Sequence, residues 1–226
     1  FSILIPSFNN LEYLKTCIDS LKKNSKYKHQ IIVHINEGTD GSLEYVKENN
    51  LEYTFSNVNI GMPKALNKSS GLAKFDYIVI SHDDFYFCPE WDLVFKNEID
   101  QLNHNFFYLS GIMVNYKKKV DLDNNSIPPV FDAGDSPKNF NENKLLSNLE
   151  KIKTFDFQGS TKCPGLVHKE IWEKVGGWSE EFSPTGGDDS DFAMKLWNIN
   201  VRIFKGLGNC PTYHFGSVTT LSLIHI

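Results

Sequence analysis

The sequence predicts an α/β fold with a Rossmann-like, mostly parallel central sheet flanked by helices, and three observations carry that expectation. Residues 1–81 alternate short apolar runs with amphipathic segments, the order that builds parallel strands joined by right-handed helical crossovers. The first run, FSILIP (1–6), is almost continuously apolar, as expected of a strand buried on both faces. The 226 residues, 40% of them hydrophobic, with 15 Gly and 9 Pro, have ordinary globular composition. That length suffices for one generous α/β core.

The elements follow in order. Asn10 stands ready to cap a helix whose apolar positions Leu11, Leu14, Ile18 and Leu21 recur at three- and four-residue spacing. HQIIVHIN (29–36) reads as a second strand running into the loop EGTDG (37–41), after which Ser42 can cap a short helix carrying Leu43 and Val46. LEYTF (51–55) is a third strand. NVNIGM (57–62) turns into a helix with Pro63 in its first turn, a favoured proline position. FDYIVIS (75–81) is a fourth strand that ends at acids. Beyond Trp91 the pattern loosens: a helix over about 90–102, a strand at 106–114, and a polar stretch, 115–142, that reads as a long loop. Helices near 143–152, 169–175 and 189–198 alternate with strands near 154–158, 165–168, 201–205 and 210–213.

Several function classes drop out early. Lys+Arg 23 against Asp+Glu 28 leaves a formal charge of −5, which argues against capture of nucleic acid or an acidic membrane face. Cys17, Cys88, Cys163 and Cys210 lie far apart without zinc-knuckle spacing and read as reduced, buried thiols. The longest apolar runs, such as Tyr77–Ile80, fall well short of the ~20 residues that span a bilayer. The chain opens with Phe1 inside a strand and without a signal peptide, which suggests a fragment that a targeting segment could precede. As it stands, a cytoplasmic location, at most peripheral to a membrane, is expected.

Chemistry should sit at the strand ends, where open α/β sheets bind ligands. Those ends offer Ser7-Phe8-Asn9, Asn36-Glu37, Ser56-Asn57 and Ser81-His82-Asp83-Asp84. Adjacent carboxylates repel, and a hard divalent cation relieves that repulsion; a solvated acidic turn would use the same residues. A second cluster, Gly186-Gly187-Asp188-Asp189-Ser190-Asp191, combines close backbone approach with acids at a helix start. Routine capping explains it equally well, but a carboxylate near a bound diphosphate and metal also suits a general base. His214 completes a sensible carboxylate-plus-imidazole metal set, or is simply structural. His29, His34, His104, His168 and His225 share no metal spacing and read as structural. P-loop, dinucleotide and nucleophile-elbow fingerprints are all missing. Phosphate recognition then falls to metal and to scattered donors such as Lys64 and Asn67, three apart on one helix face opened by Asn59-x-Gly61.

Taken together these residues resemble the family-two glycosyltransferases of the GT-A fold, in order along nearly the whole chain. SILIPSFNN, with Pro6, Ser7, Phe8 and Asn9, resembles the family's first strand and nucleotide-contacting turn. NEGTDGS resembles the acidic loop D-D-G-S-x-D-G, with Asn36-Glu37 replacing its aspartates. NIGMPKALNKS resembles the N-x-G-x-x-x-A-x-N-x-G helix and supplies Asn59, Gly61, Lys64 and Asn67. His82-Asp83-Asp84 stands at the D-x-D position, with His82 in place of the first aspartate. Trp178 and GGDDSDF stand where the family carries W…(G)-E-D-x-D, and His214 matches a late metal-shell histidine.

The resemblance implies one GT-A domain over 1–226, with a donor half (1–102) and a mixed-strand acceptor half (103–226) whose loop at about 115–142 is flexible. It implies inverting transfer from a nucleotide sugar, a UDP-sugar by family habit, to a hydroxyl of a glycan or other acceptor in glycan or polysaccharide synthesis. Mn2+ or Mg2+ would sit on Asp84 and His214, with Asp83 and His82 beside the donor. Asp189 would be the base, Asp188 and Asp191 would orient acceptor or helix, and Trp178, Gly186 and Gly187 would meet the acceptor. Two rivals remain. A sugar nucleotidyltransferase would carry a glycine-rich basic loop where SFNNLEY stands, and a non-catalytic binding module would be expected to lose Asp84 or Asp189.

Overall fold

The computed structural model describes residues 1–119, 122 and 126–216, so His225, the terminal LSLIHI and part of the 115–142 loop lie outside the described residues. Its first half follows the expected alternation: β1 (Ser2–Phe8), α1 (Leu11–Asn24), β2 (Gln30–Asn36), α2 (Ser42–Glu48), β3 (Glu52–Ser56), α3 (Met62–Ser70) and β4 (Tyr77–Ile80). β5 (Phe85–Phe87), α4 (Trp91–Leu102), β6 (Phe107–Tyr116), β7 (Val130–Phe131), α5 (Glu142–Ser147) and α6 (Leu149–Ile152) come next. β8 (Phe157–Gln158), β9 (Gly165–His168), α7 (Lys169–Val175), α8 (Asp188–Asn198) and β10 (Ile203–His214) complete the described chain.

One sheet runs β3-β2-β1-β4-β9-β6-β10-β5, with β7 on β6 and β8 on β10. β3, β2, β1 and β4 are parallel. β9 then enters antiparallel between β4 and β6, so the second half is mixed. Both faces of β1 are covered: Ile3, Leu4 and Ile5 are fully buried, as are Leu14, Cys17 and Ile18 on the inner side of α1. Continuous apolar strands and a one-sided helix are what a sheet sandwiched between helices requires. All four cysteines are free and buried.

Four local expectations need correcting. Asn10 precedes α1 but makes no cap; its amide instead donates to Asp83 Oδ1 at 3.2 Å. Ser42 is the first helical residue behind Gly41, and Asp40 supplies the cap-like bond, accepting from the Ser42 N–H at 3.1 Å. The two late strands are one, β10, interrupted by a register shift between Gly206 and Pro211. The 115–142 stretch is only partly loop: β6 reaches Tyr116, and β7 pairs with its end. The Tyr213 hydroxyl adds to that order by accepting from the Ala133 N–H at 3.0 Å and donating to the Gly134 carbonyl at 2.8 Å.

Candidate active site

The carboxyl ends of β1, β2 and β4 open onto a cleft with two adjoining compartments. The first, about 520 Å³, is lined by Pro6, Ser7, Phe8, Asn36, Asn59, Gly61, His82 and Asp83, together with Met62, Pro184 and Thr185. The second, about 860 Å³, is lined by His82, Asp84, Trp178, Gly186, Gly187, Asp188, Asp189 and His214, with Met62, Met113, Lys162, Cys163 and Thr185. His82, Met62 and Thr185 border both.

In the first compartment Asn36 is held in a known orientation. Its Oδ1 accepts from the Ile60 backbone N–H at 2.9 Å, and a backbone N–H can only donate. Ser56 Oγ also bonds that oxygen at 3.1 Å and lies 3.0 Å from Nε2 of His34. His34 is fully buried, and burial, with the nearby Lys68 charge, lowers its pKa to about 4. It is a neutral strut beneath the cleft floor.

The acidic turn between β4 and β5 is buried on both carboxylates. Asp83 Oδ1 accepts from Asn10, whereas Oδ2 is buried without a hydrogen-bond partner. Burial and then the neighbouring Asp84 charge raise Asp83 to about 7. Burial likewise lowers His82 below its ordinary value, against the pull of Asp84. His214 arrives through two ladders: β10 pairs it with Phe85, next to Asp84, and on its other side with Asn115 of β6. Its Nε2 then lies 3.2 Å from Asp84 Oδ2, and its Nδ1 lies 2.8 Å from Asn115 Oδ1. In a neutral ring whose Nδ1 donates to Asn115 Oδ1, Nε2 would present a lone pair to a cation, whereas in a protonated ring it would donate to Asp84.

A carboxylate and a neutral imidazole are both ligand types a divalent ion takes, so this pair could hold one. Among the described residues no three His, Cys, Asp or Glu side chains gather into a cluster that could hold a metal. Asp84 and His214 would therefore supply part of a shell, with the remaining ligands coming from bound substrate or water.

Asp189 is the second residue of α8, which starts at Asp188 after Gly187, whose φ of +80° suits glycine. Its Oδ2 accepts from Lys162 Nζ at 2.7 Å, and its Oδ1 from the Ser190 N–H at 2.8 Å. Partial burial works against ionisation, but the Lys162 bond and charge together with the two Ser190 hydrogen bonds outweigh it and hold the carboxyl below its usual value. Asp188 organises the loop: Oδ2 accepts from Thr185 Oγ1 at 3.1 Å and Oδ1 from the Gly186 N–H at 3.2 Å.

Five residues singled out from the sequence lie outside both compartments. Asn9 Oδ1 accepts from the Thr39 N–H at 2.9 Å, and its amide reaches Glu37 at 3.4 Å, so this pair braces the loop beside the cleft. Lys64 is half-buried on α3. Asn67 fixes the backbone of Trp178 instead. Its Nδ2 donates to the Trp178 carbonyl at 2.8 Å, and its Oδ1 accepts from the Trp178 N–H at 3.0 Å. Asp191 buries Oδ2 without a partner.

Sequence reading missed Met62, Met113, Lys162, Cys163, Pro184 and Thr185. Proximity to Gly61 and to Gly186 could have flagged Met62 and Thr185; nothing in the sequence marks Lys162. The missed Pro184 also explains a glycine. A Cβ on Gly61, at φ +80°, would stand 2.6 Å from Pro184 Cα, and the Met62 N–H donates to the Pro184 carbonyl at 2.9 Å.

Solved structures share this fold. Staphylococcus aureus TarS 1–349 superposes with TM-score 0.68 at 16% identity, over 95% of this chain and 60% of its own. The same protein in complex with UDP-GlcNAc gives 0.66 at 17%, over 96% and 61%. GalNAc-T7 with UDP, GalNAc and Mn2+ gives 0.67 at 14%, over 94% and 43%. This chain thus spans about three fifths of TarS 1–349 and less than half of GalNAc-T7. No curated protein matches the chain. No described helix is long and apolar enough to cross a membrane. A family model described as Glycosyl transferase family 2 matches residues 2–163, which covers β1 to β4, the acidic turn and most of the first compartment, and the chain belongs to that family.

Proposed function

We propose that the chain is the catalytic domain of a metal-dependent, inverting glycosyltransferase that moves a sugar from a nucleoside-diphosphate sugar, a UDP-sugar first, to a hydroxyl of a glycan or other acceptor. Glycan or polysaccharide synthesis is the setting in which such a reaction serves. The observation that carries this reading is the joining of the two compartments at His82, with the Asp84–His214 pair and Asp189 lining the same second compartment. The solved structures of TarS with UDP-GlcNAc and of GalNAc-T7 with UDP and Mn2+ support the choice of nucleotide and cation.

Residues 1–102 form the donor half. Pro6, Ser7, Phe8, Asn36, Asn59 and Gly61 receive the nucleotide, and Asn36, its oxygen engaged by Ile60, offers an amide N–H to the base. Asp83 stands by the ribose. Asp84 and His214 would hold Mn2+ or Mg2+, which offsets charge on the leaving diphosphate. In the acceptor half, residues 103–226, Trp178, Gly186 and Gly187 shape the entry for the acceptor. Asp189 takes the proton of the acceptor hydroxyl as its oxygen bonds to the anomeric carbon. The bond from that carbon to the diphosphate oxygen breaks on the opposite face, which inverts the centre. Asp188 and Asp191 keep the loop and the start of α8 in place.

The test is a panel of nucleotide sugars incubated with the protein and Mn2+. Protein-dependent release of the nucleoside diphosphate, stopped by chelator, is expected. Binding without release would instead indicate a non-catalytic module, and pyrophosphate-dependent formation of a nucleoside triphosphate a nucleotidyltransferase.

A further inference from the structure

We infer that Lys162 is a positioning residue for the reaction: it pins Asp189 by one carboxylate oxygen, facing the acceptor compartment. This rests on the reading of Asp189 as the base.

The contact is built. Lys162 lies in the segment between β8 and β9, 27 residues from Asp189 in sequence, yet its Nζ reaches Oδ2 at 2.7 Å. That segment is tied down on both sides. The Gly159 and Ser160 N–H groups both donate to the Phe204 carbonyl, at 2.7 and 3.0 Å. The Ser160 hydroxyl bonds Ser110 of β6, the Tyr108 hydroxyl donates to the Lys162 carbonyl at 3.4 Å, and the Gly111 N–H donates to the Pro164 carbonyl at 2.9 Å. The backbone beneath Lys162 is therefore fixed to the central sheet. Only the side chain crosses to α8.

The other oxygen of Asp189 is fixed by its own helix, through the Ser190 N–H at 2.8 Å and the Ser190 hydroxyl at 3.3 Å. The carboxylate is thus held from two elements, and its rotation is limited. A base pre-set in this way meets the acceptor hydroxyl without having to reorient, which is where positioning contributes to rate.

The charges around Asp189 make the lysine matter. On α8 itself stand Asp188 and Asp191; from the β9 side comes the buried Cys163 thiol, from β6 the buried Tyr108 phenol, and from the β4–β5 turn the neutral His82. Among these neighbours Lys162 is the cation in contact, and it opposes both the burial of Asp189 and the adjacent acids. The Lys162 side chain is 60% exposed, while the backbone that carries it stays tied to the sheet.

The test compares Lys162→Met, which keeps length without charge, with Lys162→Arg, which keeps the charge. Carbon-13 NMR of labelled aspartate side chains, with the Asp189 signal assigned by its loss in Asp189→Asn, follows the titration directly and without substrate. Asp189 should titrate at higher pH in Lys162→Met than in the wild type and return towards it in Lys162→Arg. With the donor identified by the nucleotide-sugar panel, kcat should fall roughly 10–100-fold in Lys162→Met, while the donor KM stays put. An Asp189 titration unmoved by Lys162→Met, with Asp189→Asn inactive, overturns this inference and leaves the base assignment standing. Normal turnover by Asp189→Asn overturns the base assignment, and the role of Lys162 in the reaction with it, whatever the titration shows.

Discussion

His214 Nε2 stands 3.2 Å from Asp84 Oδ2, and the pair is brought together by main chain: the Phe215 N–H donates to the Asp84 carbonyl at 3.2 Å. The imidazole cannot drift from the carboxylate without opening the end of β10. If the pair holds the cation, Asp84→Asn should abolish metal-dependent turnover while the protein stays folded. Asn115→Ala, which removes the group orienting the far side of the ring, should weaken Mn2+ affinity by roughly 10–100-fold. Titrating Mn2+ against UDP binding by calorimetry reads both, and turnover by either variant that persists in chelator would remove the metal assignment.

Asp189→Asn keeps shape and removes the proton acceptor. General-base catalysis is worth roughly 10²–10⁴, so kcat should fall by that factor while donor affinity stays close to wild type. Single-turnover measurement separates the two. A variant that turns over normally would shift attention to Asp188 or Asp191.

Gly61 tests the seam between α3 and the 183–185 loop. In Gly61→Ala the new Cβ meets the Pro184 backbone, 2.6 Å from Cα and 2.9 Å from the oxygen, at a φ that L-residues rarely adopt. Displacement of the loop and backbone strain together should cost about 1–3 kcal/mol. Thermal unfolding should show a drop of several degrees, and nucleotide affinity should fall as well. An unchanged melting temperature would mean that the loop gives way freely.

His34 sets a pH dependence far from the acids. Its folded pKa of about 4 lies below the ordinary 6.5, so between these values the unfolded chain binds the proton and the folded one does not. Stability from this group is complete above about 6.5 and declines as pH falls towards 4, by at most about 1.4 kcal/mol per unit. Urea unfolding at pH 7 and pH 5 should show a smaller difference in His34→Gln than in the wild type. Equal differences would mean that His34 ionises freely in the fold.

Legibility in the sequence followed the length scale of the interactions. β1, β2 and β4 could be read because burial on both faces forces a continuous apolar run. β5 could not, since three residues, Phe85–Phe87, leave no period to detect. β10 read as two strands because Gly206, Gly208 and Pro211 interrupt its pattern, and β6 pairs with it on both sides of a register shift between Gly206 and Pro211. Asn10 has the right residue type for a cap, but a buried Asp83 oxygen competes for its amide and wins. Ser7, Asn36, His82, Asp83, Asp84 and His214 were visible as strand-end polar groups. Lys162 was not, because its meaning comes from a partner 27 residues away on another element.

The hydrogen bond from Met62 to Pro184 has a consequence for how such chains can be recombined. A chimera that kept the nucleotide-binding residues and took its later segments from another relative would cut through this junction. The graft would have to bring a loop whose backbone fits against a bare Cα at position 61 and offers a carbonyl to position 62. Segment swapping is therefore constrained at this seam, which borders both compartments. A successful hybrid should carry its compensating change there.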